Sequence, residues 1–333
     1  MEVYESNETS GKRFHGDLQG IENWIFKEDA LNFLKRINIE LNFNYTPFKS
    51  VFIWGPDNYK KEIIFSRPLY YLLRRGSEKG CFDQSLLEQA QRKNNIKIYF
   101  NHPAELEKMD IIATGPVFND YLIDGFVKGY VFKTNLADIS IWFFDDYYAK
   151  DGYSYFLVKD GNAVMGTCIF DNFKKLGTYW ERTEKFFKEN LKFNIEEQKK
   201  FSGTGNLFLI NYKKSQQIYV GEAAGVQDYV VGCGMRFAML TGYLAAQSII
   251  NGNDYYNYYR DEILPLIKVS IANRLIVGML GKKSYKLFFK LLENSKDPME
   301  FLYKFYNPSL IKSLIFPLAR IIYAKHLKDP RRF

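Results

Sequence analysis

The segment IYVGEAAGVQDYVVGCGMRFAMLTGYLAA, residues 218–246, constrains this 333-residue chain more than any other. A short apolar run ends at Gly221, a second glycine follows at Gly225, Gly232 and Gly234 come next, and a long helix-like stretch begins directly after them. Taken in order, these residues are a strand, a turn, a loop and a helix that opens at Gly232 or Gly234. Glycine lets a ligand approach the main chain closely, and a helix start presents unpaired amides carrying a partial positive charge. A phosphate, or an electron-rich ring edge, suits such a place, and Glu222 is positioned to accept hydrogen bonds from ligand hydroxyls. The same glycines also suit an ordinary, tightly packed strand–loop–helix connection.

The rest of the chain supports an α/β reading. With 47% apolar and 17% aromatic residues, it can bury a large core. MEVYES reads as a short strand, SNETSGKRFHGDLQG as a loop, and FKEDALNFLKRI as a helix with Ala30, Leu31, Leu34 and Ile37 on one side. FKSVFIWGPDNYKKEIIF gives two strands around a Gly-Pro-Asp turn. CFDQSLLEQAQRKNN reads as a helix with Asp83 as its N-cap, followed by the strands IKIYF and DIIATG. Residues 121–170 alternate aromatic and β-branched residues with Gly and Asp, the pattern of an antiparallel sheet. Residues 180–200 read as helix, GNLFLINYKKSQQIYVG as strands, and the chain after Gly232 as mainly helical.

Charge and cysteine content narrow the function classes. Cys81, Cys168 and Cys233 are too few and too far apart for a zinc ribbon or a disulfide framework, so neither metal ligation by cysteine nor an oxidising compartment is expected. No secretory signal pattern and no apolar run near the ~20 residues of a membrane span is visible. The expected setting is cytoplasmic, free or membrane-associated. The net charge is +8, and residues 281–333 hold 12 Lys or Arg against 4 Asp or Glu, so the end of the chain carries the whole excess. There the cations are mixed with apolar residues, as in LIKSLIFPLARIIYAKHLKDPRRF, which suits a membrane interface or a solvated helical face better than a nucleic-acid groove.

The quoted segment resembles the second flavin-binding stretch of the geranylgeranyl reductase-like FAD-dependent oxidoreductases, relatives of the aromatic-ring hydroxylases. Gly221, Ala223, Ala224, Gly225, Gly232, Gly234, Ala238, Gly242, Ala245 and Ala246 follow that pattern, with Glu222 where the family has the Asp that bonds the ribityl chain. RRGSEKGCFDQSLLEQAQRKNNIKIYF resembles the family's Arg, Phe-Asp, Leu segment through Arg74 or Arg75, Phe82, Asp83 and Leu86. DIIATGP resembles its strand-to-flavin turn through Ala113, Thr114 and Gly115. The resemblance implies a discontinuous FAD-binding, Rossmann-like domain over 1–47, 72–120 and 206–260. It further implies an inserted antiparallel substrate sheet over 48–71 and 121–205, and a helical, basic region over 261–333.

Against that pattern the chain begins with what looks like the second strand, whose Glu5 falls where the ribose-binding acid belongs. No Gly-x-Gly-x-x-Gly turn precedes it. Either the polypeptide starts upstream, or the protein works without the phosphate loop. The resemblance also places Arg13, His15 and Gly16 near the isoalloxazine, with His15 as a proton donor. Tyr153 and Tyr155 then fall on the segment that lines the family's isoprenoid tunnel, although Leu157 and Val158 replace its Phe-Pro.

The implied activity is reduction of carbon–carbon double bonds in an apolar, isoprenoid-like substrate, with electrons from a ferredoxin or a nicotinamide-dependent reductase. An FAD-dependent monooxygenase and a noncatalytic carrier of apolar ligands are the alternatives.

Overall fold

Alternation along the strand Tyr153–Lys159 builds the main wall of the molecule. Successive side chains of a strand point to opposite faces. Ser154, Phe156 and Val158 turn under the helix Leu176–Asn190, where the Phe156 and Phe187 rings lie 5.5 Å apart and Ser154 Oγ lies 2.8 Å from Thr183 Oγ1. Tyr153, Tyr155 and Leu157 turn the other way and face a cavity. Each fully buried aromatic or aliphatic chain on the helix side contributes about 1.5–3 kcal/mol of apolar burial, enough to fix which face is which.

The structure is a computed structural model and describes residues 1–116, 123–207, 217–280 and 282–326. Tyr153–Lys159 is the fourth strand of a seven-stranded sheet, which runs in the order Glu196–Leu207, Ile123–Lys133, Asn162–Ile169, Tyr153–Lys159, Ile139–Phe143, Ser50–Gly55 and Tyr59–Ile64. The last two strands form the hairpin that the Gly-Pro-Asp turn predicts, and Asp57 and Asn58 take the left-handed backbone such a turn requires. Ile139–Phe143 pairs in parallel with Ser50–Gly55, so the sheet is mixed rather than purely antiparallel. A three-stranded sheet, Leu18–Glu22, Tyr70–Arg74 and Tyr45–Phe48, packs beside it, with Tyr70 and Trp142 of the large sheet stacked 5.8 Å apart.

Two short parallel ladders complete the α/β part. Glu2–Tyr4 pairs with Lys97–Tyr99, and Ile111–Ile112 pairs with Ile218–Tyr219. Ile111–Ile112 leads directly to Gly115, and Ile218–Tyr219 leads to the tight turn Gly221–Ala224. The chain after this turn is helical: Met235–Asn251, Tyr255–Tyr258, Leu264–Leu280, Lys282–Glu293, Pro298–Tyr306 and Leu310–His326. Gly234 is the N-cap of the first of these helices, one of the two openings expected.

Two expectations need correction, and part of a third lies outside the described residues. The helix expected over 180–200 ends at Asn190, and Glu196–Leu207 is a strand paired with Ile123–Lys133, because a long-range partner outweighs the local helix preference of a charged stretch. Asp83 is not the N-cap of its helix; Cys81 holds that position, and the Asp83 carboxylate turns back to Arg75 and the Gly76 amide. Of the stretch GNLFLINYKKSQQIYVG, residues 208–216 lie outside the described residues, as does the basic end 327–333.

Candidate functional site

A cavity of about 670 Å³ lies where the large sheet, the three-stranded sheet and the Gly-bearing turns meet. Because Ile111–Ile112 and Ile218–Tyr219 run side by side, the turns that follow them open onto the same space, and Ala113, Gly115, Gly221 and Glu222 all line it. The opposite wall is aromatic: Trp142, Tyr153 and Tyr155 from the large sheet, with Tyr70 and Trp24 from the smaller one. One end is therefore polar and backbone-rich, and the other is apolar.

The glycines are required by conformation more than by hydrogen bonding. Gly221, Gly225 and Gly232 have φ of 59°, 65° and 73°, and a side chain there costs about 1–2 kcal/mol. Their amides are already engaged: Gly221 N donates to Thr241 Oγ1 (2.9 Å), Gly225 N to Glu222 O (2.9 Å) and Gly232 N to Asp228 O (3.0 Å). At Gly232 an added Cβ would meet no atom within 4 Å, so the backbone there borders open space. The first turn of Met235–Asn251 offers further amides that have no partner within the helix, of which Arg236 N points toward the Glu22 carboxyl.

The loop between the glycines is held by Asp228, which the sequence does not single out. Its buried carboxylate accepts from Val231 N (2.7 Å), Val230 N (3.1 Å) and Ser270 Oγ (2.5 Å). Burial raises its pKa, while these hydrogen bonds work against the rise. Tyr153 adds a tie from the large sheet by donating its hydroxyl to Val231 O at 2.5 Å.

Arg13 stands at the polar end. Its Nη1 donates to Glu222 Oε2 (2.6 Å), its Nη2 donates to Thr204 O (3.0 Å), and Nη1 would lie 3.5 Å from a Cβ at Gly115. The guanidinium thus occupies part of the space between the two turns. Phe14 follows it, with the Arg75 guanidinium 4.0 Å from the ring centre. Arg75 is held by a two-pronged ion pair to Asp83 (2.7 and 2.8 Å).

The remaining expected residues divide clearly. Of the arginine pair, Arg75 lines the cavity; Arg74 is ion-paired to Glu78 at 2.7 Å and borders a separate small pocket. Thr114 and Gly225 belong to the two turns but are not on the lining. Glu5 is not on the cavity lining and accepts from the backbone and side chain of Asn7 (2.8 and 2.7 Å). His15 is exposed and off the lining, with its amide donating to Asp17 Oδ1 (3.1 Å). Asp17 does line the cavity, and burial raises the pKa of its carboxyl. Burial likewise raises Tyr153 and Tyr155 well above the usual phenol value.

Behind the wall lies a second group that the sequence does not reveal. Glu22 is fully buried, and among the described residues its carboxyl oxygens make no well-formed hydrogen bond, although the Glu22 and Arg236 amides point toward them. Burial pushes its pKa up to about 7, against the pull of the neighbouring Arg236 charge. Arg236 lies in the first turn of Met235–Asn251, stacked 4.4 Å over Phe26 and donating to Glu28 O (2.8 Å).

No protein-family profile matches the chain, and no curated protein matches it in sequence. Its fold does match solved structures. A geranylgeranyl bacteriochlorophyll reductase-like protein from Thermoplasma acidophilum superposes with a TM-score of 0.66 at 15% identity, covering 98% of this chain and 91% of that one. A triple mutant of the flavin-dependent brominase Bmp2 gives 0.63 at 12% identity, with 97% and 93% covered. PqsL from Pseudomonas aeruginosa, described as a probable FAD-dependent monooxygenase, gives 0.56 at 13% identity, with 87% and 92% covered. The chain shares the mixed α/β fold of these structures, two of which are described as flavin- or FAD-dependent enzymes.

Proposed function

We propose that the chain is an FAD-dependent oxidoreductase that reduces carbon–carbon double bonds of an apolar, isoprenoid-like substrate. The observation that carries this reading is one cavity with two unlike ends: Gly-bearing turns and Glu222 at one, and Tyr153, Tyr155 and Trp142 at the other. The residues present suit the ring and ribityl part of FAD. Gly232 borders open space, Glu222 offers a carboxylate for hydroxyls, and the helix start at Gly234 offers amides to an electron-rich edge. Glu222, Gly221, Gly234 and the turn Ala113–Gly115 would hold the cofactor. Thr114, Gly225 and Gly232 would shape the backbone that borders it.

When bound, reduced flavin supplies a hydride, and the protein's part is to place the alkene, exclude water and deliver a proton to the other carbon. The aromatic wall does the placing and the excluding. Asp17 is the proton donor in this reading, since its carboxyl lines the cavity and burial favours its protonated form. His15 keeps a supporting part through its backbone hydrogen bond to Asp17. Electrons come from a separate reductase or ferredoxin.

The test is to titrate the protein with FAD, follow flavin absorbance and fluorescence, and supply a polyprenyl substrate to the reduced protein under anaerobic conditions. Saturable uptake and a product heavier by two hydrogens per double bond support the reading. Turnover that requires oxygen and inserts it makes the protein a monooxygenase instead. A third reading has an observation of its own: Arg13 already fills part of the polar end. Binding of a polyene with no FAD uptake makes the protein a carrier of apolar ligands.

A further inference from the structure

The helix Leu310–His326 has apolar residues on both sides. Its inner side packs against Leu264–Leu280, with Ala319 fully buried and Tyr323 Oη 3.9 Å from where a Cβ at Gly278 would lie. Its outer side carries Leu310, Ile311, Leu314, Leu318 and Ile321, exposed by 86, 69, 80, 52 and 54%. At 3.6 residues per turn these five positions fall within an arc of about 100°, a continuous stripe along the helix. Met279, 72% exposed, lies next to Gly278 near the far end of that stripe.

A helix that is apolar all round normally lies inside a core or a bilayer. This one lies at the surface. Among the described residues no helix is long and apolar enough to cross a membrane, and an apolar stripe on a surface helix suits one that lies along an interface. Charge decides between a bilayer and a second copy of the chain. Residues 310–326 include Lys312, Arg320 and Lys325 but no Asp or Glu, and Arg320 is exposed about 80° around the helix from the nearer edge of the stripe. A second copy of this helix offers no acidic residue to pair with its cations, whereas an anionic lipid surface complements them. Lys312 also has a structural task, donating to the carbonyls of Lys304, Phe305 and Asn307 at 2.7–2.9 Å. This fixes the start of the helix against Pro298–Tyr306.

We propose that Leu310–His326 is a membrane-surface helix, whose stripe Leu310, Ile311, Leu314, Leu318 and Ile321 inserts at the acyl boundary of an anionic bilayer while Arg320 meets the headgroups. The proposal is independent of the flavin reading, and its test uses neither flavin nor substrate. The full chain is sedimented with vesicles of phosphatidylcholine alone and of phosphatidylcholine with about a third phosphatidylglycerol.

Binding to the anionic vesicles should be about tenfold tighter than to the neutral ones and should weaken with salt. The variant Leu314→Gln/Leu318→Gln should lose about tenfold in binding, with an unchanged thermal melt because both side chains are exposed. In Leu314→Trp, the emission of the new indole should shift to the blue with anionic vesicles only. Equal binding to both vesicles, full binding by the double variant, or an unshifted indole would overturn the proposal. So would concentration-dependent dimerisation that the double variant abolishes in a protein that ignores vesicles.

Discussion

Arg13 Nη1 lies 2.6 Å from Glu222 Oε2, an ion pair joining residues 209 positions apart at the polar end of the cavity. The pair is partly exposed, so its contribution to stability is small, about 0–1 kcal/mol. Its interest is positional: it fixes the carboxylate to which the proposed function gives the cofactor's hydroxyls. Glu222→Ala should leave the melting temperature nearly unchanged and weaken FAD binding roughly tenfold or more, the loss of one charge-assisted hydrogen bond. Fluorescence titration beside a thermal melt separates the two effects.

Tyr153→Phe tests the tie between the large sheet and the glycine loop. The substitution keeps the ring and leaves Val231 O without the hydroxyl that donates to it at 2.5 Å. An orphaned buried acceptor costs about 1–3 kcal/mol. Chemical denaturation should show a loss in that range.

Gly232→Ala separates backbone strain from crowding. Its φ of 73° disfavours any other residue, yet the new Cβ would meet no atom within 4 Å. The expected loss is about 1–2 kcal/mol. A cost well above that would mean the loop is packed more tightly than the open space implies.

Glu22 should make stability depend on pH. Its folded pKa of about 7 lies above the ordinary value of 4.5, so between these values the folded state binds more protons than the unfolded one. Stability therefore falls as pH rises through that window, and the penalty is complete above the folded value. Glu22→Gln cannot ionise. Comparing the two proteins by denaturation from pH 5 to pH 8, wild type should lose about 1–3 kcal/mol relative to the variant. Parallel profiles would show that Glu22 does not titrate in this range.

What the sequence made legible is local. The turns at 113–115 and 221–225 and the helix start at Gly234 follow from glycines beside apolar runs, signals that need no partner to interpret. The hairpin at 50–64 is legible for the same reason. Arg75 could not be separated from Arg74, because which of two adjacent residues faces a cavity depends on how the strand Tyr70–Arg74 pairs and ends. Asp17, Asp228 and Glu22 look like ordinary polar residues until packing buries them, and their partners come from distant chain: Ser270 bonds Asp228, and the Arg236 charge acts on Glu22. The strand Glu196–Leu207 was hidden because its partner Ile123–Lys133 lies far away in sequence.

The ladder joining Ile111–Ile112 to Ile218–Tyr219 is only two residues long, closed by Ile218 N to Asp110 O (2.9 Å) and Val220 N to Ile112 O (3.0 Å). So brief a seam opens more readily than the broad sheet across from it. A molecule gripping both turns at once would act as a rivet through that seam, and its arrival should slow amide hydrogen exchange first at Ile218 and Val220.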